Sequence, residues 1–409
     1  MSRNSPVATE GALPTLLVMT STYPRWQGDP EPGFVHELAK RLTDRFTVVV
    51  LGPHTHGALP RQVLDGVEVI RYRYAPEALE TLVNDGGIVA NLRSSPWKLL
   101  LVPGFLLSMA WSLFLLLRQR RIDVVHAHWL IPQGVIAAFI TKLGSRMPSF
   151  VVTSHGADLF TLRGRFLGAM KRWVIRRARA VTVVSEAMRT EVRRLVGDFA
   201  NLSVQPMGVD LQHRFVPTLS DPRTEDELLF VGRLVEKKGL RYLLDALPEV
   251  VAKRPNARLR IAGFGPEEAA LRRQTVALGL DERVEFMGAV PQSELPMLYR
   301  RASLFVAPFV EAASGDQEGL GLVLVEAIGC GCPVIAGDVG AVEDVLGKES
   351  LQVVRAEDVE QLSSRIIASL SDPATAALRA ARLRERVADR FEWTKVAKRY
   401  GDLLNEGLE

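Results

Sequence analysis

Two segments carry the side chains best suited to chemistry. Residues 229–239 read LFVGRLVEKKG: an apolar run stops at Gly232, and Arg233, Lys237 and Lys238 follow at once. A guanidinium fork and a lysine point charge at the mouth of a strand suit two adjacent phosphoryl groups. Residues 316–333 read DQEGLGLVLVEAIGCGCP, a glycine-rich turn running into an apolar helix. Such a helix start leaves N–H groups free, and those of Gly319, Leu320, Gly321 and Leu322 can receive phosphate or hydroxyl oxygens. Glu318 stands at the end of that turn and Glu326 lies about two helical turns further on, so both can face one ligand. An acidic side chain beyond a phosphate site can accept hydrogen bonds from ribose hydroxyls. Either glutamate alone reads as a cap or a surface residue; the order Arg233, Lys238, Glu318, Glu326 does not.

Weaker candidates are scattered elsewhere. VVTSHGAD places His155, Gly156 and Asp158 in a turn at the end of an apolar run. Ser185 and Glu186 follow another such run and either line a site or cap a helix. Gly263, in GFG, is a weak signal by itself. Gly28 and Gly33 sit in the loop YPRWQGDPEPGF after the first apolar run. His126 and His128 share a strand face but lack a third ligand, so a metal site is not expected there. They read as structural, as do His54 and His56. No Asp-x-Asp segment stands where a metal-dependent reaction would place one, and no metal or other cofactor is expected. Cys330 and Cys332 flank one glycine, too close for a metal-type pair, and read as buried small residues. Two cysteines exclude a disulfide framework and make the cytoplasm the default compartment.

These residues need a scaffold that presents loops at strand ends. Short β-branched runs alternate with helical stretches along the chain. Strands are expected over 15–20, 47–52, 67–73, 123–127, 150–153, 181–184 and 203–206. A polar stretch around Pro217, Asp221 and Pro222 reads as a linker. The rhythm then restarts with strands over 228–231, 258–262, 284–287, 304–307, 334–336 and 352–354. Helices are expected at 33–44, 133–143, 165–177, 186–196, 240–253, 267–277, 293–300, 321–328, 360–370 and 373–390, with Asp372 capping the last of these and a further helix opening at 391–393. Near-continuous apolar strands alternating with helices imply parallel sheets covered on both faces. The expectation is α/β, two doubly wound domains, with ligands in a cleft at the carboxyl ends of the strands.

With 409 residues, 47% apolar and 24% charged, the chain is an ordinary globular protein of about two domains. Its net charge of +4 conceals a division: residues 1–217 hold 26 Lys+Arg against 16 Asp+Glu, and the rest 25 against 31. Arg163 to Arg194 alone carries ten basic and two acidic residues. The N-terminus shows no signal peptide: its apolar stretch is short and interrupted by Pro14. From Leu99 to Leu117 there is no charge. The segment just reaches spanning length, yet a buried-strand pattern follows it directly. Pro103-Gly104 near its start leaves Phe105–Leu117 as clean helix. Of a span, a buried core helix and a helix dipping into a membrane surface, the last is the expectation. Nucleic-acid binding is not expected, because no basic motif is interleaved with aromatics.

At this point the sequence resembles a known family, the retaining glycosyltransferases of family 4 ("glycosyl transferases group 1"), with the GT-B fold. GRLVEKKG resembles its GRL…KG diphosphate loop, and Glu318 with Glu326 its E-x7-E motif, followed by EAIGCGCPVIAGDVG. IAGFGPEE, VEFMGAV, VVTSHGAD, DVVHAHW and QPMGVD are similar to further segments. The resemblance implies two Rossmann-like domains: 1–215 on the acceptor side, 216–391 binding the nucleotide-sugar donor, and 392–409 as a helix crossing back. It implies that Arg233 and Lys238 hold the diphosphate, that Glu326 binds ribose, and that Glu318 and Gly319–Leu322 meet sugar or phosphate. His155 would lie over the reacting centre, and Gly28, Gly33, Asp158, Ser185 and Glu186 near acceptor or cleft. The loop around Gly28 departs from the double-glycine form common in the family. The implied activity is retaining hexosyl transfer from a nucleotide sugar to a glycan or polyprenyl-linked acceptor, in cell-surface polysaccharide or glycolipid synthesis. The enzyme would work without metal, in the cytoplasm or peripherally on the cytoplasmic face of an anionic membrane. A same-fold epimerase or phosphorylase-like enzyme and a non-catalytic scaffold of a polysaccharide assembly complex are the alternatives.

Overall fold

The computed structural model describes residues 13–29, 33–84, 87–142, 147–218, 221–347 and 351–408. The N-terminal stretch read as carrying no signal peptide (before residue 13), the middle of the Gly28–Gly33 loop, and Leu143 lie outside these residues. The first sheet comprises β1 (Thr15–Met19), β2 (Thr47–Pro53), β3 (Arg61–Leu64), β4 (Val67–Tyr72), β5 (Val124–His128), β6 (Ser149–Ser154), β7 (Ala180–Val183) and β8 (Leu202–Val204). Its order is β3-β4-β2-β1-β5-β6-β7-β8. The second comprises β9 (Thr224–Val231), β10 (Arg258–Ala262), β11 (Val284–Gly288), β12 (Ala302–Ala307), β13 (Val334–Gly337) and β14 (Val353–Val354), ordered β11-β10-β9-β12-β13-β14 with every pairing parallel.

The expected strands are present, and one was missed. β3 lies antiparallel on the edge of β4. Its sequence, RQVL, alternates exposed and half-buried positions, so it lacks the apolar run that marks the two-sided central strands.

The chain forms two compact units whose limits do not follow the sheets. One unit is Met1–Val152 with Arg177–Ala180 and Gly401–Glu409; the other is Thr153–Arg176 with Val181–Tyr400. In the first, helix Leu101–Gln119 buries Leu101, Phe105, Met109, Leu113 and Leu116. Phe105 meets Tyr72 and Tyr74 edge-on, with ring centroids 5.6 and 5.3 Å apart. Pro103 and Gly104 do not trim this helix as expected. Pro103 falls in the first turn, where its missing N–H is no loss. Nor is this a wholly buried core helix: Leu107 is 71% and Trp111 61% exposed, and Trp97, Leu99 and Leu100 are exposed just before it.

In the second unit, β9, β10 and β12 pack Leu228, Phe230, Leu259, Ile261, Leu304 and Val306 among Leu243, Leu244, Leu247, Leu362 and Ile366. Helix Pro373–Phe391 starts as the sequence implies, with the Asp372 carboxylate accepting from Thr375 N–H at 3.1 Å. Residues 392–400 are pinned to 205–211. The Glu392 carboxylate accepts from Leu211 N–H at 2.8 Å, and the Tyr400 hydroxyl donates to the Gln205 carbonyl at 2.8 Å.

Candidate active site at the start of helix Leu322–Gly329

The site is built from the turn after β9 and the turn before helix Leu322–Gly329, both in the second unit. β9 ends at Val231, and Glu236–Lys238 form one tight turn closed by Gly239 at φ 67°. A Cβ on Gly239 would lie 1.8 Å from the Pro308 carbonyl oxygen, so only glycine turns the chain there. This turn aims both lysines at the acidic loop. Lys238 Nζ donates to Glu318 Oε2 at 2.7 Å; Lys237 Nζ donates to Asp316 Oδ1 at 3.2 Å and to the Gln317 carbonyl at 3.3 Å. Lys238 also stands 4.8 Å from the centroid of the Phe309 ring. Glu318 Oε1 accepts from Gly321 N–H at 3.3 Å, placing a carboxylate at the positive end of the helix. Burial alone would raise the Glu318 pKa. The Lys238 and Lys237 charges, with hydrogen bonds from Lys238 and Gly321, outweigh it and hold the group at about 2.

Glu326, further along the same helix, is 7% exposed. Burial pushes its carboxyl up to about 7, against a hydrogen bond from Tyr299 and the charges of Arg214 and Lys238. The Lys238 charge therefore acts on both glutamates. Arg233 is half-buried just after β9. Within the same unit the turn after β6 meets this loop: a Cβ on Gly319 would come 2.5 Å from the His155 carbonyl oxygen, and one on Gly156 3.2 Å from Gly319 Cα. His155 thus stands beside Glu318–Gly319. Asp158 is buried and accepts from Ser154 Oγ at 2.8 Å, so it shapes that turn.

The remaining candidates divide. Gly263 N–H donates to the Gly288 carbonyl at 2.8 Å, and a Cβ there would come 1.8 Å from the Gly232 oxygen. Its bareness lets two strand ends abut. Ser185 occupies the N-cap position of helix Glu186–Val196 without a side-chain cap bond. The first N–H of that helix donates instead to Asp344 Oδ2 at 2.8 Å, and Arg390 also pairs with Asp344. The Glu186 side chain is bound by Arg189 at 2.6 Å. Gly28 and Gly33 belong to the first unit. Gly28 lies at φ 84° in a turn held by the Arg25–Asp29 pair, and Gly33 begins helix Phe34–Arg41. Cys330 and Cys332 are buried free thiols whose pKa values burial raises to about 12 and 11, so neither is a reactive thiolate. His126 is fully buried, and burial lowers its pKa to about 3, which keeps it neutral.

Sequence reasoning missed Tyr299, Phe309 and Asp344. Each lies in a stretch that reads as core or surface, and no spacing ties it to the motif residues it touches.

Known proteins resemble this one along most of the chain. The sequence profile of "Glycosyltransferase Family 4" matches residues 34–213, and that of "Glycosyl transferases group 1" matches 225–372. A Mycolicibacterium smegmatis protein named GDP-mannose-dependent alpha-(1-6)-phosphatidylinositol monomannoside mannosyltransferase is 31% identical over 308 residues, covering 71% of this chain and 78% of the relative. The chain belongs to glycosyltransferase family 4. Among solved structures, sucrose-phosphate synthase from Thermosynechococcus elongatus superimposes with a TM-score of 0.78 at 21% identity, over 95% of this chain and 98% of the other. Anabaena Alr3699/HepE, solved with UDP and glucose, gives 0.73 at 17% identity over 96% and 99%. The fold of this family 4 enzyme is therefore GT-B, and it is a glycosyltransferase that uses a nucleotide-sugar donor.

Proposed function

We propose that this enzyme transfers a hexosyl unit, with retention of anomeric configuration, to a hydroxyl of a glycan or polyprenyl- or other lipid-linked acceptor. The observation that carries this reading is the Lys238–Glu318 pair, held with Lys237 at the start of helix Leu322–Gly329. The donor's diphosphate takes Lys238 and Arg233 as counter-charges, with the N–H groups of Gly319–Leu322 beside it. Glu326 accepts hydrogen bonds from the ribose diol, and Glu318 and the His155 turn contact the sugar. The acceptor hydroxyl attacks the anomeric carbon on the face the diphosphate leaves. The carbon–oxygen bond to phosphate breaks as the new glycosidic bond forms, and the hydroxyl proton passes to the departing phosphate oxygen. Lys238 and Arg233 stabilise the charge that develops there. Residues 1–215 serve the acceptor and 216–391 the donor, with 392–409 returning to the first block. A panel of nucleotide sugars scored by nucleoside diphosphate release, with and without excess EDTA, tests the reaction and its charge balance. Release from at least one donor, undiminished by EDTA, is expected; loss in EDTA restored by Mg²⁺ or Mn²⁺ would overturn the metal-independent reading.

The relative's name includes a phosphatidylinositol acceptor, and this chain carries a surface suited to a lipid interface. Pro103, Leu107 and Trp111 recur every fourth residue on the exposed side of helix Leu101–Gln119, next to exposed Trp97, Leu99 and Leu100. Lys98 and Arg118 bracket that row. Such an apolar face with cations at its ends sits at a membrane surface, where each nearby basic side chain adds about 1 kcal/mol on anionic lipid. The basic stretch from Arg163 to Arg194 adds to that attraction. On this reading the enzyme works peripherally on the cytoplasmic face of the membrane. Flotation with anionic liposomes at low salt should carry the protein upward. Leu107→Ser with Trp111→Ser should weaken that partitioning by roughly tenfold or more, since each side chain would lose ~1.5–3 kcal/mol of burial. Wild-type protein that stays at the bottom of the gradient contradicts this placement.

A further inference from the structure

We infer that Tyr299 is a positioning residue for the donor's ribose: its phenol holds one carboxylate oxygen of Glu326 so that the other is presented to the sugar diol. This rests on the reading of Glu326 as the ribose acceptor and assigns the group behind it.

Tyr299 lies on helix Leu295–Arg301 and is 0% exposed, whereas Glu326 keeps 7% of its surface in solvent. The phenol therefore touches the carboxylate from its buried side and does not touch the ligand. The hydroxyl donates to Glu326 Oε2 at 3.0 Å. The ring is fixed edge-on to Phe305, centroids 5.4 Å apart at 77°, and tilted against Phe215 at 6.2 Å, so the hydroxyl cannot swing away without repacking two aromatics. Burial, helped by the Glu326 charge beside it, holds the phenol well above its usual range. Its proton thus stays on oxygen, and it acts toward Glu326 only as a donor.

A glutamate has three rotatable bonds, the last of which turns its carboxyl plane. A fixed plane favours a diol, because the ring holds the two hydroxyl oxygens at one separation and only their protons turn to meet the acceptor. The bond to Oε2 sets the plane and leaves Oε1 as acceptor. It also favours the charged form of an acid that burial would otherwise neutralise. The groups acting on Glu326 are Tyr299 from its helix, Lys238 from the turn after β9, and Arg214 from the segment before β9. The Cys330 thiol adjoins it at the end of its own helix. Among the other elements packed on helix Leu322–Gly329, Arg384 of helix Pro373–Phe391 donates to the Gly329 carbonyl, and β12 and β13 carry no titratable side chain.

The test is calorimetric binding of UDP, GDP, ADP and CDP, and then of the 2′,3′-dideoxy form of the tightest binder, between pH 5.5 and 8.5. Wild type should prefer the ribo form by roughly 10- to 100-fold at pH 8, the range for hydrogen bonds to a charged acceptor. That preference should fade as pH drops through the Glu326 titration. Tyr299→Phe keeps the ring; it should cut the preference roughly five- to tenfold and move the midpoint to higher pH. Glu326→Gln should nearly abolish the preference, and the double variant should equal it. Lost packing alone would weaken ribo and dideoxy forms alike and leave their ratio unchanged. A Tyr299→Phe protein with the wild-type ratio and midpoint overturns this inference while leaving Glu326 in its role. A wild type that binds both forms equally, or none of the diphosphates, overturns the role of Glu326 and the inference with it. Should Tyr299→Phe fail to fold, Phe305→Leu, which loosens the ring's support without touching the hydroxyl, should lower the same ratio, and an unchanged ratio there overturns the inference.

Discussion

Lys238→Ala lowers kcat/KM by roughly 10²–10³ in nucleoside diphosphate release assays, the effect of removing one preorganised stabiliser of developing charge. Two consequences of the ion pair shape the outcome. Glu318 is held at about 2 chiefly by Lys238, so the variant leaves a largely buried carboxylate with Lys237 as its remaining nearby cation. Removing one partner of such a pair destabilises because the other charge stays desolvated. The pair is not fully enclosed, with side-chain exposures of 13% and 16%, so the cost is about 1–2 kcal/mol rather than the larger figure for a sealed pair. Lys238→Ala with Glu318→Gln should therefore regain stability and stay inactive. A Lys238→Ala enzyme within threefold of wild type would mean that the leaving group is neutralised elsewhere and that the site is misassigned. Glu318 itself contributes stability above its unfolded value of 4.5 and loses it as pH falls toward about 2.

Glu326→Gln should move activity and stability in opposite directions. A hydrogen bond to a charged acceptor contributes about 1.5–3 kcal/mol, so kcat/KM falls roughly 10- to 150-fold, mostly through the donor's KM. Stability responds in the reverse sense. The folded-state pKa of Glu326 is raised to about 7 from 4.5. Below 4.5 the group is protonated in both states and contributes nothing. Between 4.5 and 7 the unfolded chain gives up the proton more readily, so folding is penalised increasingly as pH rises. At pH 8 the penalty is about 3 kcal/mol, at 1.36 kcal/mol per pKa unit. Glu326→Gln should thus raise Tm at pH 8 and leave it nearly unchanged at pH 4. A variant destabilised at both pH values would show that the carboxylate is a structural necessity. A buried acid kept at a thermodynamic penalty is the pattern of a functional group rather than a packing one.

Much of this was legible before any coordinates. β-branched runs of four to eight residues separated by helical periods specify parallel strands, because a strand buried on both faces must be apolar throughout. LFVGRLVEKKG and DQEGLGLVLVEAIG stand out as candidates through residue type: three cations after a strand, a bare helix start, and two acids about two turns apart. Asp372 followed by proline gave the helix start it implies. These are local signals, carried by neighbours in the chain.

What only the tertiary structure decided involves residues far apart in sequence. Nothing in PMLYR marks Tyr299 as anything but a core aromatic; its role exists because Glu326, 27 residues on, places an oxygen 3.0 Å away. Ser185 reads as a helix cap, yet its side chain makes no cap bond, and the first N–H of the helix, that of Glu186, is held by Asp344, 158 residues away in sequence. Composition made 99–117 an apolar helix, but which side chains face water is settled by what packs against Phe105 and Met109, and that left Leu107 and Trp111 outside. The two acids illustrate the division best. Their spacing fixed that one stands just before the start of a helix and the other on it, about two turns further along. Only the surroundings split their pKa values to about 2 and about 7, because two lysines converge on one, while burial raises the other against the hydrogen bond that Tyr299 gives it.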